Sequence, residues 1–246
     1  MILALLSDVH SNLEALRACL AHAEEHGAQD YAFLGDLVGY GADPEAVVDV
    51  AKAHAAKGAV VLKGNHDEAV EVPNAYLNAS ASAAIDWTRT RLSQEDRAFL
   101  ASLALCIRAG DACYVHASAA RPENWEYVDS PSAAERSVAA AGTAYTFSGH
   151  VHDQALFVSA AQERMIAFRP KPGVAIPVGT HRRWLALVGS VGQPRDGNPA
   201  AAYATFDAEA KSVTFHRVPY DNRTAARKVR EAGLPEALAY RLERGI

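Results

Sequence analysis

Short apolar runs, each broken off by metal-ligating side chains, recur from one end of this chain to the other. Met1–Leu6 leads into Asp8 and His10, Tyr31–Leu34 into Gly35-Asp36, and Ala59–Leu62 into Gly64-Asn65-His66-Asp67. Ala112–Val115 leads into His116, and Ala144–Ser148 into Gly149-His150-Val151-His152. An apolar run of this length, bounded by glycine and polar residues, reads as a buried strand. The chain is thereby committed to a strand-rich core whose strand ends carry Asp, Asn and His. Alternate residues of an extended segment point to one side, so Asp8/His10 and His150/His152 are each expected to aim two ligands at one point. Any one of these motifs arises easily by chance. Five in this order, holding five of the ten histidines, do not.

The first hundred residues alternate strand and helix. Strands at Ile2–Ser7, Tyr31–Leu34 and Ala59–Leu62 are separated by a helix over Asn12–His26 and one opened by Asp43-Pro44-Glu45. In the second helix Asp43 is the expected cap and Pro44 the first helical residue. A βαβαβ series implies a parallel sheet with functional loops at the carboxyl ends of its strands. Asn78–Leu103 reads as two helices, the second starting at the capping box Ser93-x-x-Asp96. Strands are expected at Ala112–His116, Ala144–Ser148, Ala155–Ser159, Arg164–Arg169, Trp184–Val191, Ala202–Asp207 and Ser212–Val218, the last two joined as a hairpin. Asn222–Arg244 closes the chain as helix, broken at Gly233-Leu234-Pro235. No repeat or linker divides residues 1–246, so one domain is expected.

Composition narrows the function. A net charge of −5 argues against a stable nucleic-acid partner, which needs clustered Lys and Arg. Cys19, Cys106 and Cys113 match no zinc or redox motif and read as reduced thiols of a cytoplasmic protein. The opening apolar run stops at Ser7-Asp8, too short for a secretion signal. No stretch reaches the roughly 18–20 apolar residues of a membrane span.

The ligand order suits two divalent ions held about 3.5–4 Å apart by a shared carboxylate. Asp36, central in the order, is the expected bridge. Asp8, His10 and His152 would complete the shell of one ion; Asn65, His116 and His150 would complete that of the other. Oxygen and imidazole without thiolate favour Mn, Fe, Zn, Co or Ni over Ca. Two divalent ions against two carboxylates leave a charge of about +2, which attracts phosphate and acidifies a bridging water to a pKa near 7. That water supplies a hydroxide nucleophile. His66 has no ligand slot in this scheme and is the expected proton or hydrogen-bond donor to the leaving oxygen.

On these motifs the chain resembles the calcineurin-like metallophosphoesterase superfamily, whose signature is Asp-x-His, Gly-Asp, Gly-Asn-His-Asp/Glu, His and Gly-His-x-His. The segments Asp8–Leu16, Gly35–Gly41 and Gly189–Gly197 are similar to a small prokaryotic branch of that superfamily. The resemblance implies an α/β fold of four layers, α-β-β-α, with two mixed sheets flanked by helices. It implies hydrolysis of phosphoric mono- or diesters, with a small phosphorylated or nucleotide substrate. Val38-Gly39-Tyr40 lacks the Asp-Arg-Gly of the protein Ser/Thr phosphatases, which turns the reading away from that activity. A non-catalytic scaffold of the same fold and a nuclease are the competing readings. The complete ligand set opposes the first, and the acidic balance opposes the second.

Arg121, between His116 and Trp125, and Arg195, in Gln193-Pro194-Arg195-Asp196, are candidate phosphate contacts. Trp125 could stack a base or simply pack. Asn12 could touch phosphate or cap the helix that follows. His22-Ala23-Glu24-Glu25-His26 fits a zinc-protease pattern, but both histidines fall opposite the Leu13/Leu16/Leu20 stripe. With no third ligand in sight, they read as a solvated face.

Overall fold

Leu5 faces one way from the first strand while Ala4 and Leu6 face the other, and both sides are fully buried. A strand with two apolar faces needs a layer on each side, and the rest of the architecture follows from that. The computed structural model describes residues 1–72, 77–160 and 164–246. Its first sheet is built on β1 (Ile2–Leu6), β2 (Ala28–Phe33) and β3 (Val60–Val61), which pair in parallel across α1 (Leu13–Glu25) and α2 (Pro44–Ala55). Next come α3 (Asn65–Ala69), α4 (Ala79–Arg91) and α5 (Gln94–Ser102). The second sheet begins with β4 (Cys106–Ala109) and β5 (Ala112–Val115); α6 (Pro131–Ala141) then leads to β6 (Tyr145–Ser148). The strands β7 (Gln154–Ser159), β8 (Met165–Phe168), β9 (Ala175–Pro177), β10 (Trp184–Val188), β11 (Ala201–Asp207) and β12 (Ser212–Val218) follow, before α7 (Asn222–Glu231) and α8 (Glu236–Arg244).

The strand orders are β3-β2-β1-β11-β12-β9 and β4-β5-β6-β10-β7-β8. Both sheets are mixed, because β11 runs antiparallel to β1 and β7 antiparallel to β10. Between them lies a core of Leu5, Leu34, Phe147, Leu156, Phe206 and Phe215. The outer face of the first sheet is covered by α1 and α2 through Leu16, Cys19, Val47 and Val48. The outer face of the second is covered by α6 through Ala134 and Val138 against Leu185 and Leu187. These are two six-stranded mixed sheets flanked by helices, as the resemblance implies. One buried amide also ties the sheets together. The carboxamide nitrogen of Gln154 lies 3.0–3.2 Å from the carbonyl oxygens of Val188, Tyr203 and His216, on β10, β11 and β12.

Local signals hold with a few corrections. The Ser93–Asp96 capping box forms. Asp43 precedes α2 but makes no capping bond; its carboxylate takes both contacts from Lys228 Nζ on α7, at 3.0 and 2.9 Å. An ion pair to a neighbouring helix wins over the local cap. The helix α6 was not anticipated, though Ser130 caps it and Pro131 opens it. The short strands β4 and β9 and the single-turn α3 were also missed; none is long enough to show a periodicity. Cys106 and Cys113 meet across β4 and β5 with sulfurs 3.5 Å apart, both as free thiols.

Candidate metal centre

Six parallel strands end at one place. β1, β2 and β3 in the first sheet, and β5, β6 and β10 in the second, deliver residues 7–12, 35–41, 64–67, 116, 149–152 and 189–195 to it. The carboxyl ends of parallel strands are where loops can converge without interrupting a ladder. Here they bring together Asp8, His10, Asp36, His66, His116, His150 and His152, all buried.

The paired ligands do not converge in the manner their spacing suggests. Asp8, His10, His150 and His152 have φ of +54°, +50°, +67° and +71°, and Asp36 has +52°. The extended geometry expected for Asp-x-His and His-x-His is therefore replaced by left-handed turns just past each strand. Asp and His tolerate that region better than most residues, yet each such residue costs about 1–3 kcal/mol unless its surroundings hold it. The surroundings here are backbone hydrogen bonds from Asp8 N to Gly35 O and from His10 N to Asp36 O. Two glycines let the loops close. A Cβ on Gly149 would strike Ser7 Oγ and come within 2.5 Å of Asp8 Oδ2, and one on Gly64 would strike the Asp36 carboxylate.

Three imidazoles are aimed by carbonyl groups. His10 Nδ1 meets Val38 O at 3.2 Å, His116 Nδ1 meets Leu34 O at 2.8 Å, and His152 Nδ1 meets Gln193 O at 2.6 Å. A carbonyl can only accept, so each Nδ1 carries a proton and each Nε2 is turned inward, the orientation of metal-bound histidine. Asp36 occupies the middle. Its Oδ1 accepts the His66 N–H at 2.8 Å, while Oδ2 lies 3.7 Å from His10 Nε2 and 3.4 Å from His116 Nε2. Asp8 Oδ1 lies 3.2 Å from His152 Nε2 and 3.8 Å from His10 Nε2. Asn65 Oδ1 is 3.3 Å from His116 Nε2. Three groups of donor atoms each fall within 4.8 Å: Asp8/His10/His152, His10/Asp36/His66 and Asp36/His116/His150. The middle group includes His66, which the sequence reading left off the metals.

The electrostatics follow from crowding charges out of water. Burial pushes the Asp8 and Asp36 carboxyls up, but the imidazoles of His152 and His116 overcome it, and both end below the usual range. Burial alone lowers His116, yet the Asp36 carboxylate raises it to about 9. His10 and His66 are lowered by burial, against the pull of Asp36, and His150 falls to about 3 by burial and the nearby His116. Asp67 rises to about 7, through burial and repulsion from Asp36, although it accepts the Val38 and Gly64 N–H groups. Two buried polar atoms inside the cluster, Asp8 Oδ1 and His66 Nδ1, have no hydrogen-bond partner. An unsatisfied buried carboxylate oxygen is costly unless something fills the gap, and a cation fits that need.

Around the cluster, Tyr40 was not anticipated as a site residue. The Tyr40 ring lies 4.6 Å from His10 and 4.5 Å from His66, and Tyr127, half exposed, stacks on His150 at 4.1 Å. Tyr40 stands in the Gly-Asp-Leu-Val-Gly-Tyr-Gly segment, and that was its one signal. Arg195 sets its guanidinium 5.9 Å above the Tyr40 ring, with its Nε buried and unpartnered. Trp125 donates to Glu68 at 3.0 Å and meets His116 edge-on. Arg121 is exposed at the start of the turn Pro122–Asn124. Asn12 does not join the site. Its Oδ1 caps α1 by accepting from Ala15 N, and its Nδ2 reaches Gly192 O and Tyr220 Oη, so both ends of the amide are committed.

Two mixed sheets that direct buried carboxylates and imidazoles to their shared strand ends define a metallohydrolase. The comparisons with known proteins give the particular family. The chain belongs to the calcineurin-like phosphoesterase superfamily, whose domain model matches residues 1–211. It is 35% identical over 247 residues to a protein of Methanocaldococcus jannaschii, covering 98% of this chain and 97% of that one. It is 37% identical to a metallophosphoesterase of known structure from Sphaerobacter thermophilus, with a TM-score of 0.89 and full coverage of both chains. A hypothetical protein from Pyrococcus horikoshii, 20% identical, shares the fold with a TM-score of 0.77 over 100% of this chain and 98% of that one. The protein is a metallophosphoesterase, a hydrolase with candidate metal clusters of His and Asp.

Proposed function

We propose that the whole chain, residues 1–246, acts as one cytoplasmic phosphoesterase domain with two divalent ions, hydrolysing small phosphorylated or nucleotide substrates. One observation carries the pairing of ions: a single oxygen, Asp36 Oδ2, stands between the inward nitrogens of His10 and His116. Asp8 and His152 extend the His10 side; Asn65 and His150 extend the His116 side. When bound, two such ions attract phosphate, polarise the ester and acidify a water.

The residues then have separate tasks. Asp36 and Asp8 supply the negative charge that gathers cations. The carbonyls of Leu34, Val38 and Gln193 fix the imidazole tautomers. His66, kept neutral by burial, offers a hydrogen bond to the leaving oxygen. Arg195, poised over Tyr40 with a free Nε–H, steadies a phosphate oxygen. The test is turnover of p-nitrophenyl phosphate and bis-p-nitrophenyl phosphate by chelator-treated protein after adding Mn, Zn, Co, Ni or Fe(II). Activity that returns with metal supports the reading. A folded protein inactive with every metal would leave only a binding scaffold.

A further inference from the structure

Cys106 and Cys113 match no redox spacing, yet the hairpin they flank folds them together. Ala109 pairs with Ala112 across the turn at Gly110-Asp111, so Arg108 lies opposite Cys113 and Cys106 opposite Val115. Residues two apart on a strand share a face, which makes the two cysteines diagonal neighbours on one face of the hairpin. Right-handed twist draws one diagonal of such a hairpin together. The sulfurs of this one lie 3.5 Å apart. A disulfide holds its sulfurs at about 2.05 Å, so the pair must close by about 1.5 Å. That movement is open to β4, which is an edge strand of its sheet and carries the half-buried Cys106.

The two sulfurs differ in their surroundings. Cys113 is fully buried with Val115, Ala119 and Ala141, while Cys106 stands at the margin of that cluster, partly open to water. Arg108 follows Cys106 on the same face, and its guanidinium is anchored on the carbonyls of Ala141 and Ala140 at 3.0 and 3.1 Å. A hydrogen bond from Cys113, aided by the Arg108 charge, draws the Cys106 thiol below the usual range. Cys113 goes the other way, pushed up by giving that bond and by burial. Cys106 thus has the exposure and thiolate character of an attacking sulfur, and Cys113 is placed to resolve what forms on it. Cys19, fully buried on α1 and pushed up by burial, is an internal control.

We propose that Cys106 and Cys113 form a dithiol that hydrogen peroxide converts to a disulfide. The Cys106 thiolate attacks one peroxide oxygen, the O–O bond breaks, and a sulfenic acid and hydroxide result. The Cys113 sulfur then attacks the Cys106 sulfur, and the displaced hydroxyl leaves with the Cys113 proton as water. The thiols together give up two electrons and the peroxide takes them. A small dithiol reverses the change by exchange. The bond locks the edge strand β4 onto β5, which ends one residue before His116.

The test exposes full-length protein, reduced and then freed of reductant, to hydrogen peroxide before alkylation with iodoacetamide under denaturing conditions. Of the three cysteines, wild type should keep only Cys19 open to alkylation. Trypsin cuts after Arg108, between the paired cysteines, so mass spectrometry should find two peptides joined until dithiothreitol parts them. Cys106→Ser should keep both of its remaining thiols under the same exposure. Cys113→Ser should leave Cys106 as a sulfenic acid that dimedone captures. Wild type that keeps all its thiols, or that oxidises Cys106 while Cys113 stays open to alkylation, overturns the proposal. So does a disulfide found only between molecules.

Discussion

Asp36 serves from a backbone conformation that few aspartates adopt, with one carboxylate oxygen fixed by the His66 N–H and the other left between two imidazoles. Asp36→Asn keeps the shape and removes the charge that both sides of the cluster share. Loss of residues that merely orient ligands typically costs 10–100-fold in affinity or activity, so a shared ligand should cost more than about 100-fold. Elemental analysis of the variant should find fewer ions than wild type, and steady-state hydrolysis should fall with it. Undiminished activity with a full metal complement would refute the bridging role. For His66 the informative variable is the leaving group. If it stabilises the departing oxygen, His66→Ala should slow alkyl phosphates far more than p-nitrophenyl phosphate, whose leaving group needs little help. A uniform slowdown across the series would instead make His66 a ligand or an orienting group, a role its closeness to His10 and Asp36 permits.

At the level of elements, the layered fold depends on polar ties as well as apolar area. Gln154→Leu would leave the carbonyl oxygens of Val188, Tyr203 and His216 without their shared donor inside the core. Buried acceptors that lose a partner cost about 1–3 kcal/mol, which at this chain length lowers Tm by roughly 2–12 °C. Calorimetry on the variant checks this, and an unchanged Tm would mean another donor replaces the amide. No sequence pattern announced Gln154, because its importance lies in three strands that come together only in the folded chain. The strands that end in ligand motifs were legible for the opposite reason: an apolar run and the polar residues that stop it are neighbours in sequence. Sequence adjacency also misled. Asp43 looked like a cap until Lys228 arrived from α7. Asp8/His10 and His150/His152 reach the same cluster, but not through the extended backbone their spacing suggests, since a left-handed residue leaves no mark in residue type when that residue is Asp or His rather than Gly.

Over the whole molecule the histidines set the response to acid. Burial lowers His10, His22, His54, His66, His150 and His216 below the ordinary 6.5, with His150 reaching about 3 and His216 about 4. In the unfolded chain these groups take up protons near pH 6.5; in the folded chain they resist until a lower pH. The unfolded state therefore binds more protons between those limits, and stability falls as pH drops from about 6.5 toward 4. His116 runs the other way: raised to about 9, it contributes stability that is complete below its unfolded value and is lost as pH climbs through 9. Asp67, raised to about 7, opposes the trend within this window because it takes up its proton first in the folded chain, but six imidazoles against one carboxyl leave acid destabilisation dominant. Each imidazole forced to charge costs at most about 1.4 kcal/mol per pH unit, roughly 3–6 °C of Tm for a chain this long. Calorimetry on chelator-treated protein should show Tm falling steeply between pH 6.5 and 4, and His216→Gln should flatten part of that slope. A Tm that holds level or rises on acidification would mean the buried imidazoles gain water or partners as they charge. The cluster at the strand ends would then be looser than its hydrogen bonds imply.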